Sequence, residues 1–176
     1  LKKIIFQDLE LEKLLRKLRK NLCFQIAENK DLINSDELQF IIALGEQCFL
    51  NEYVYSATQE ENLLIDEIIN KCIVGEINEK YIAILSCYIP LYKLLDKIPF
   101  LKYFNASDEN FKELIQFQIS EPLKEKDLCK NIKAIGLIND NVSKKIKSQY
   151  EESPYPRWRY GNNLGSHKIS LQQAIN

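Results

Sequence analysis

Leu11, Leu14, Leu15, Leu18, Leu22 and Ile26 recur at spacings of three and four, which places them on one stripe of a helix of 3.6 residues per turn. The same period returns in Leu38, Ile41, Ile42, Leu44, Cys48 and Phe49, and again in Leu64, Ile65, Ile68, Ile69, Cys72 and Ile73. Only five glycines and five prolines occur in 176 residues, most of them at the ends of these stretches, so little interrupts a helix once begun. No alternation of β-branched residues is long enough to specify a strand. The expected class is all-α: an irregular helical bundle or a diverged helical-repeat array, followed by an extended proline/aromatic C-terminal segment. Paired helices raise the question of tetratricopeptide repeats, but no small/aromatic pattern recurs at their period of about 34 residues.

Punctuation residues set the expected boundaries. Asp8 caps a first helix running toward Asn29. A second starts near Ser35 or Asp36, with Asp36 and Gln39 as a capping-box-like pair, and runs to about Tyr53. Gly45 inside it is unfavourable by roughly 1 kcal/mol relative to Ala, which suggests the close approach of another helix. Thr58 and Glu61 form a full capping box for a third helix that ends at Gly75. Asn78 caps a fourth, which Pro90 must break or kink, with a short continuation over Leu91–Asp96. Ser107 caps a helix over Asp108–Ile119, Glu121-Pro122 punctuates before a weaker stretch over Leu123–Asn131, and Asp140 caps a last helix over Asn141–Glu151.

The formal net charge is −1 with both signs interspersed, so no electrostatic footprint for nucleic acid is present. The one basic cluster, Arg16, Lys17, Arg19 and Lys20, alternates with leucines and reads as the solvated face of the first helix rather than a basic docking patch. Cys23, Cys48, Cys72, Cys87 and Cys129 are odd in number and widely spaced, without a C-x-x-C pair. They fit buried free thiols in a reducing cytoplasm better than zinc ligands or a disulfide framework. No apolar run approaches the length that spans a bilayer. The chain begins with Leu1 and lacks methionine, as expected of a piece of a longer polypeptide.

No catalytic apparatus is complete. Neither a G-x-G-x-x-G nor a Walker lysine motif occurs, and Gly161 and Gly165 read as loop. His167, the sole imidazole, sits in a polar tail and reads as solvated rather than catalytic. Glu60-Glu61 reads as charge at a helix start. Glu151-Glu152 has more telling company, because Tyr150, Pro154, Tyr155, Pro156, Arg157 and Trp158 follow or flank it. Prolines 154 and 156 force an extended path whose backbone must find partners on another surface or in water. Tyr155 and Trp158 call for a surface to cover, and Arg157 with Glu151 or Glu152 could fix the orientation through charge-assisted hydrogen bonds. A linker strapped onto this same bundle and a strap across a neighbouring domain both satisfy these constraints.

The segment Gln149-Tyr-Glu-Glu-Ser-Pro-Tyr-Pro-Arg-Trp158 resembles the Q-Y-E-E-N-P-Y-P-R-W signature of a bacterial family that joins tetratricopeptide repeats to a class I S-adenosylmethionine-dependent methyltransferase domain. Upstream, Gln47-Cys-Phe-Leu-Asn-Glu-Tyr-Val-Tyr55 is similar to the family's Q-C-F-x-N-E-Y-V-F, and Val142–Gln149 fits the usual lead-in. Ser153 stands for an asparagine and Tyr55 for a phenylalanine. The resemblance implies a helical domain over 1–149 and a strap or linker over 150–176 leading to a catalytic domain beyond. It implies that S-adenosylmethionine is bound by the parent protein and not by this segment. Tyr150, Glu151, Tyr155, Arg157 and Trp158 would border that site, and Glu152, Pro154 and Pro156 would make the interdomain contact. The expected partners are the chain's own methyltransferase domain and a protein or small-molecule acceptor. No catalytic residue, metal ligand, nucleic acid or membrane is expected. A helical adaptor without enzyme activity is the competing expectation.

Overall fold

The computed structural model describes residues 8–28, 33–106, 108–132 and 140–152. Among them the regular structure is helical throughout, with no strand. The α-helices are α1 (Leu9–Ala27), α2 (Ser35–Leu50), α3 (Gln59–Ile73), α4 (Glu79–Ser86), α5 (Glu109–Ile115), α6 (Glu121–Cys129) and α7 (Asn141–Glu152). Two short 3-10 turns, Leu91–Leu94 and Pro99–Tyr103, link α4 to α5, and a π-turn at Gln116–Ser120 joins α5 to α6. None of these helices is long and apolar enough to cross a membrane.

Side-chain caps begin most helices, because the first amides of a helix have no internal acceptor. Asp8 accepts from Leu11 N at 2.9 Å, Asn78 from Tyr81 N at 2.9 Å, and Asp140 from Ser143 N at 2.7 Å. Thr58 and Glu61 form the expected reciprocal box on α3. The box on α2 is Asn34 with Glu37, two residues before the expected pair Asp36 and Gln39. Asp108 rather than Ser107 caps α5, its carboxylate accepting from Phe111 N at 2.8 Å. Gly75 ends α3 at a φ of 101°, a conformation that glycine adopts without steric cost.

α2 and α4 lie side by side at the centre. Gly45 permits it: a Cβ there would overlap the Ser86 hydroxyl. Ile41, Ile42, Leu44, Cys48, Ile82, Ile84 and Leu85 are fully enclosed between these helices and their neighbours. α1 and α3 pack against each other through Leu15, Leu22, Ile26, Ile65, Ile68 and Ile69. Leu14 and Ile73, both assigned to core stripes from the sequence, face solvent at 52 % and 46 % exposure. Four cysteines are buried free thiols and Cys129 is exposed.

The Glu121-Pro122 pair does not separate two helices. The π-turn carries the chain through it, with Glu121 N donating to Gln116 O. Proline lacks an amide hydrogen and its ring crowds the carbonyl four residues earlier, and a wider turn relieves both. After α4, by contrast, Pro90 marks a real break: the helix has already ended at Ser86.

Candidate functional site

Arg19 is the largest correction to the sequence reading. It lies on the α1 stripe between Leu15 and Leu22 and is 1 % exposed, not part of a solvated face. Burial of a guanidinium is costly unless its donors and charge are matched, and here both terminal nitrogens are matched while Nε has no hydrogen-bond partner among the described residues. Its Nη1 donates to Tyr55 O at 3.2 Å and to Cys87 O at 3.4 Å, and its Nη2 donates to Ser56 O at 2.9 Å. The same Nη2 stands 3.5 Å from Glu61 Oε1. The guanidinium carbon lies 4.1 Å from the Tyr88 ring centroid, a cation–π stack, and the Tyr88 hydroxyl donates to Glu61 Oε1 at 2.7 Å. Glu61 therefore serves α3 as a cap and the core as a counter-ion. Burial alone would raise its carboxyl, but the bonds from Tyr88 and Thr58 and the charge of Arg19 hold it below the ordinary value. Burial, the nearby Cys23 thiol and the bond to Glu61 push the Tyr88 phenol far upward, so it remains a donor. Desolvation raises the Cys23 thiol to about 11.

Gln118 is a second polar hub. The π-turn aims it into the core, where it is fully buried. Its Nε2 donates to Gly45 O at 2.8 Å and Ser86 O at 3.1 Å, while its Oε1 accepts from Tyr53 Oη at 3.1 Å and Leu91 N at 3.2 Å. One side chain thus satisfies backbone groups exposed by the end of α4 and by the close α2–α4 approach. Both hubs grip the segment that follows α2. Gln47, Cys48, Phe49 and Leu50 in the last turn of α2, and Asn51 and Tyr55 after it, are all buried. Glu52 and Tyr53 turn the chain at φ of 55° and 58°, a left-handed conformation costing a non-glycine residue roughly 1–2 kcal/mol. Tyr53 N to Cys48 O at 2.8 Å and the Tyr53 hydroxyl bonds offset that strain. The Q-C-F-x-N-E-Y-V pattern is accordingly the pattern of a helix end, a reversed turn and its buried anchors.

α7 is the opposite case. Tyr150 and Glu151 lie on it, and the helix continues through Glu152, so extended chain starts no earlier than residue 153. Its described side chains, 141–151, are all exposed. Val142, Ile146 and Tyr150, one turn apart, form an apolar stripe at 64, 49 and 66 % exposure. Lys147 and Glu151 pair at 3.5 Å along its flank. Pro154, Tyr155, Pro156, Arg157 and Trp158 lie outside the described residues, as does His167.

A groove of about 600 Å³ that sequence reasoning missed runs between residues 104–106 and the α5–π-turn–α6 rod. Phe104, Ala106 and Ile115 supply its apolar lining, and Lys112, Gln116, Ser120 and Lys124 its polar wall. Those polar positions recur at every fourth residue across Glu121-Pro122, a pair that on sequence alone signals a helix break. Among the described residues no group of His, Cys, Asp and Glu is arranged to hold a metal ion. Comparison with known protein families, curated proteins and solved structures finds no match to this chain.

Proposed function

We propose that this chain is a non-catalytic helical accessory domain of an S-adenosylmethionine-dependent methyltransferase. In this reading α7 and the segment after it act as the contact and strap toward the catalytic domain. The observation that carries the reading is the asymmetry of the polar and apolar groups. The buried ionisable hub of Arg19, Glu61 and Tyr88 is turned inward and consumed by its own fold, whereas α7 offers Val142, Ile146 and Tyr150 outward. An apolar stripe leading into a proline-fixed aromatic segment suits a surface that closes over a neighbour. Methyl transfer benefits from holding the sulfonium and the acceptor in line and from excluding water, which a strap at the border of the site assists. Tyr150, Glu151, Tyr155, Arg157 and Trp158 are the residues assigned to that border. Glu152, Pro154 and Pro156 are assigned to the interdomain contact.

The test is S-adenosylmethionine binding and methyl transfer by the full-length protein carrying Trp158→Ala. The reading expects weaker cofactor or acceptor binding with the bundle's unfolding midpoint retained. Unchanged kinetics with a lowered midpoint would reduce the segment to a structural role. The full-length sequence adds a direct check, since a strand and a glycine-rich turn are expected after residue 176. The adaptor reading draws on the groove beside α5, which has the size and mixed lining of a ligand cleft. Helical sequence in place of that strand and turn would favour it.

A further inference from the structure

We propose that the groove between residues 104–106 and the α5–π-turn–α6 rod binds a short extended peptide with acidic residues near both ends and an apolar residue between them. Lys112, Gln116, Ser120 and Lys124 occur at every fourth position and all line the groove, forming one rail along the rod. Twelve residues of helix span roughly 18 Å at 1.5 Å per residue. The end residues of an extended five-residue peptide lie roughly 13 Å apart at about 3.3 Å per residue, and the long lysine and glutamate side chains bridge the remainder. The two lysines therefore stand where the ends of such a peptide would lie. Lys124 makes no ion pair or hydrogen bond with any described residue, and Lys112 has only a solvent-exposed contact to Glu109 at 3.5 Å. An exposed pair of that kind contributes little, so exchanging it for a peptide carboxylate costs little.

The opposite wall supplies backbone. Phe104 is extended, at φ −63° and ψ 124°. Beside it, Asn105 and Ala106 make no hydrogen bond to any described residue, leaving main-chain donors and acceptors for a strand laid alongside. Such pairing gives affinity without reading sequence, and pockets for alternate side chains add the selectivity. Phe104, Ala106 and Ile115 offer the apolar pocket midway. Glu121 also lines the groove, and Gln116 Nε2 donates to its Oε1 at 3.3 Å, tying the one acidic group to the wall. The lining then carries two cations against one tethered carboxylate, which selects for acidic over basic peptides. The groove is lined by residues from 104–106 and 112–124 and does not depend on the assignment of α7.

The test uses isotopically labelled full chain and the peptide acetyl-Glu-Ser-Leu-Ser-Glu-amide in an NMR titration, with acetyl-Lys-Ser-Leu-Ser-Lys-amide as control. The acidic peptide should shift the amides of Asn105, Ala106, Gln116 and Ser120 saturably, with affinity falling as salt rises. Lys112→Glu with Lys124→Glu, both surface changes, should weaken binding by about tenfold or more while the remaining spectrum is retained. Absence of shifts at 104–124 up to millimolar peptide, equal binding of the basic peptide, or indifference to the charge reversal would each overturn the proposal.

Discussion

Within residues 47–56 Gln47, Cys48, Phe49, Leu50, Asn51 and Tyr55 are buried, whereas α7 presents every described side chain to solvent. Both stretches carry patterns that stand out in the sequence, yet the physical demands on them differ. In the first, Gln47, Cys48, Asn51 and Tyr55 are packed around a left-handed turn, and Arg19 and Gln118 bind its backbone surroundings. Packing accounts for Cys48 and Tyr55 in that pattern, while both side-chain polar atoms of Asn51 are buried without a hydrogen-bond partner among the described residues. In α7 Val142, Ile146 and Tyr150 are exposed, and no described residue of the bundle covers them. A pattern explained by the interior argues for fold. An apolar stripe left on the outside argues for a partner.

The difference can be broken most severely at Glu61. Glu61→Ala should leave the buried Arg19 charge uncompensated and remove a cap from α3, destabilising by about 3–5 kcal/mol in urea denaturation. Gln118→Leu should follow at about 2–4 kcal/mol, since Gly45 O, Ser86 O, Leu91 N and the Tyr53 hydroxyl lose one shared partner. Gly45→Ala should cost about 1–3 kcal/mol through its overlap with Ser86, and combining it with Ser86→Ala should recover part of the loss in a double-mutant cycle.

The hub also sets a pH dependence. The folded state holds the Glu61 carboxyl below its ordinary value, so its contribution is complete above the ordinary range near 4.3 and is lost as pH falls through the folded value. The urea midpoint should drop as pH falls below the ordinary glutamate range near 4.3, and Glu61→Gln should show a shallower drop over the same interval. The smallest effect on folding is expected in α7. Ile146→Ser should change the bundle's stability by about 0.5 kcal/mol or less, as exposed positions usually do.

Local signals were the most legible in the sequence. The caps at Asp8, Thr58, Asn78 and Asp140, the stop at Gly75 and the close approach at Gly45 each follow from one residue's chemistry and its immediate neighbours. What escaped depends on tertiary partners. Arg19 belongs on the core stripe only because Glu61, Tyr88 and three carbonyls from other segments meet it there. The spacing Leu15, Arg19, Leu22, Ile26 was visible, but a charged residue on such a stripe ordinarily belongs at its wet edge. Pro122 signalled a break, whereas a π-turn absorbed it and thereby created both Gln118's inward aim and the groove's continuous wall. Of the border residues named from the sequence, the fold places Tyr150 and Glu151 on an exposed helix, and the rest lie outside the described residues.

The claim that α7 faces a partner while residues 47–56 serve the fold is tested most directly by Ile146→Ser with Tyr150→Ser in the full-length protein. Urea unfolding and S-adenosylmethionine calorimetry are measured on the same samples. An unchanged unfolding midpoint with cofactor affinity reduced about fivefold or more is the predicted result, equivalent to about 1 kcal/mol or more. A lowered midpoint with unchanged affinity would contradict it, and would return α7 to the bundle.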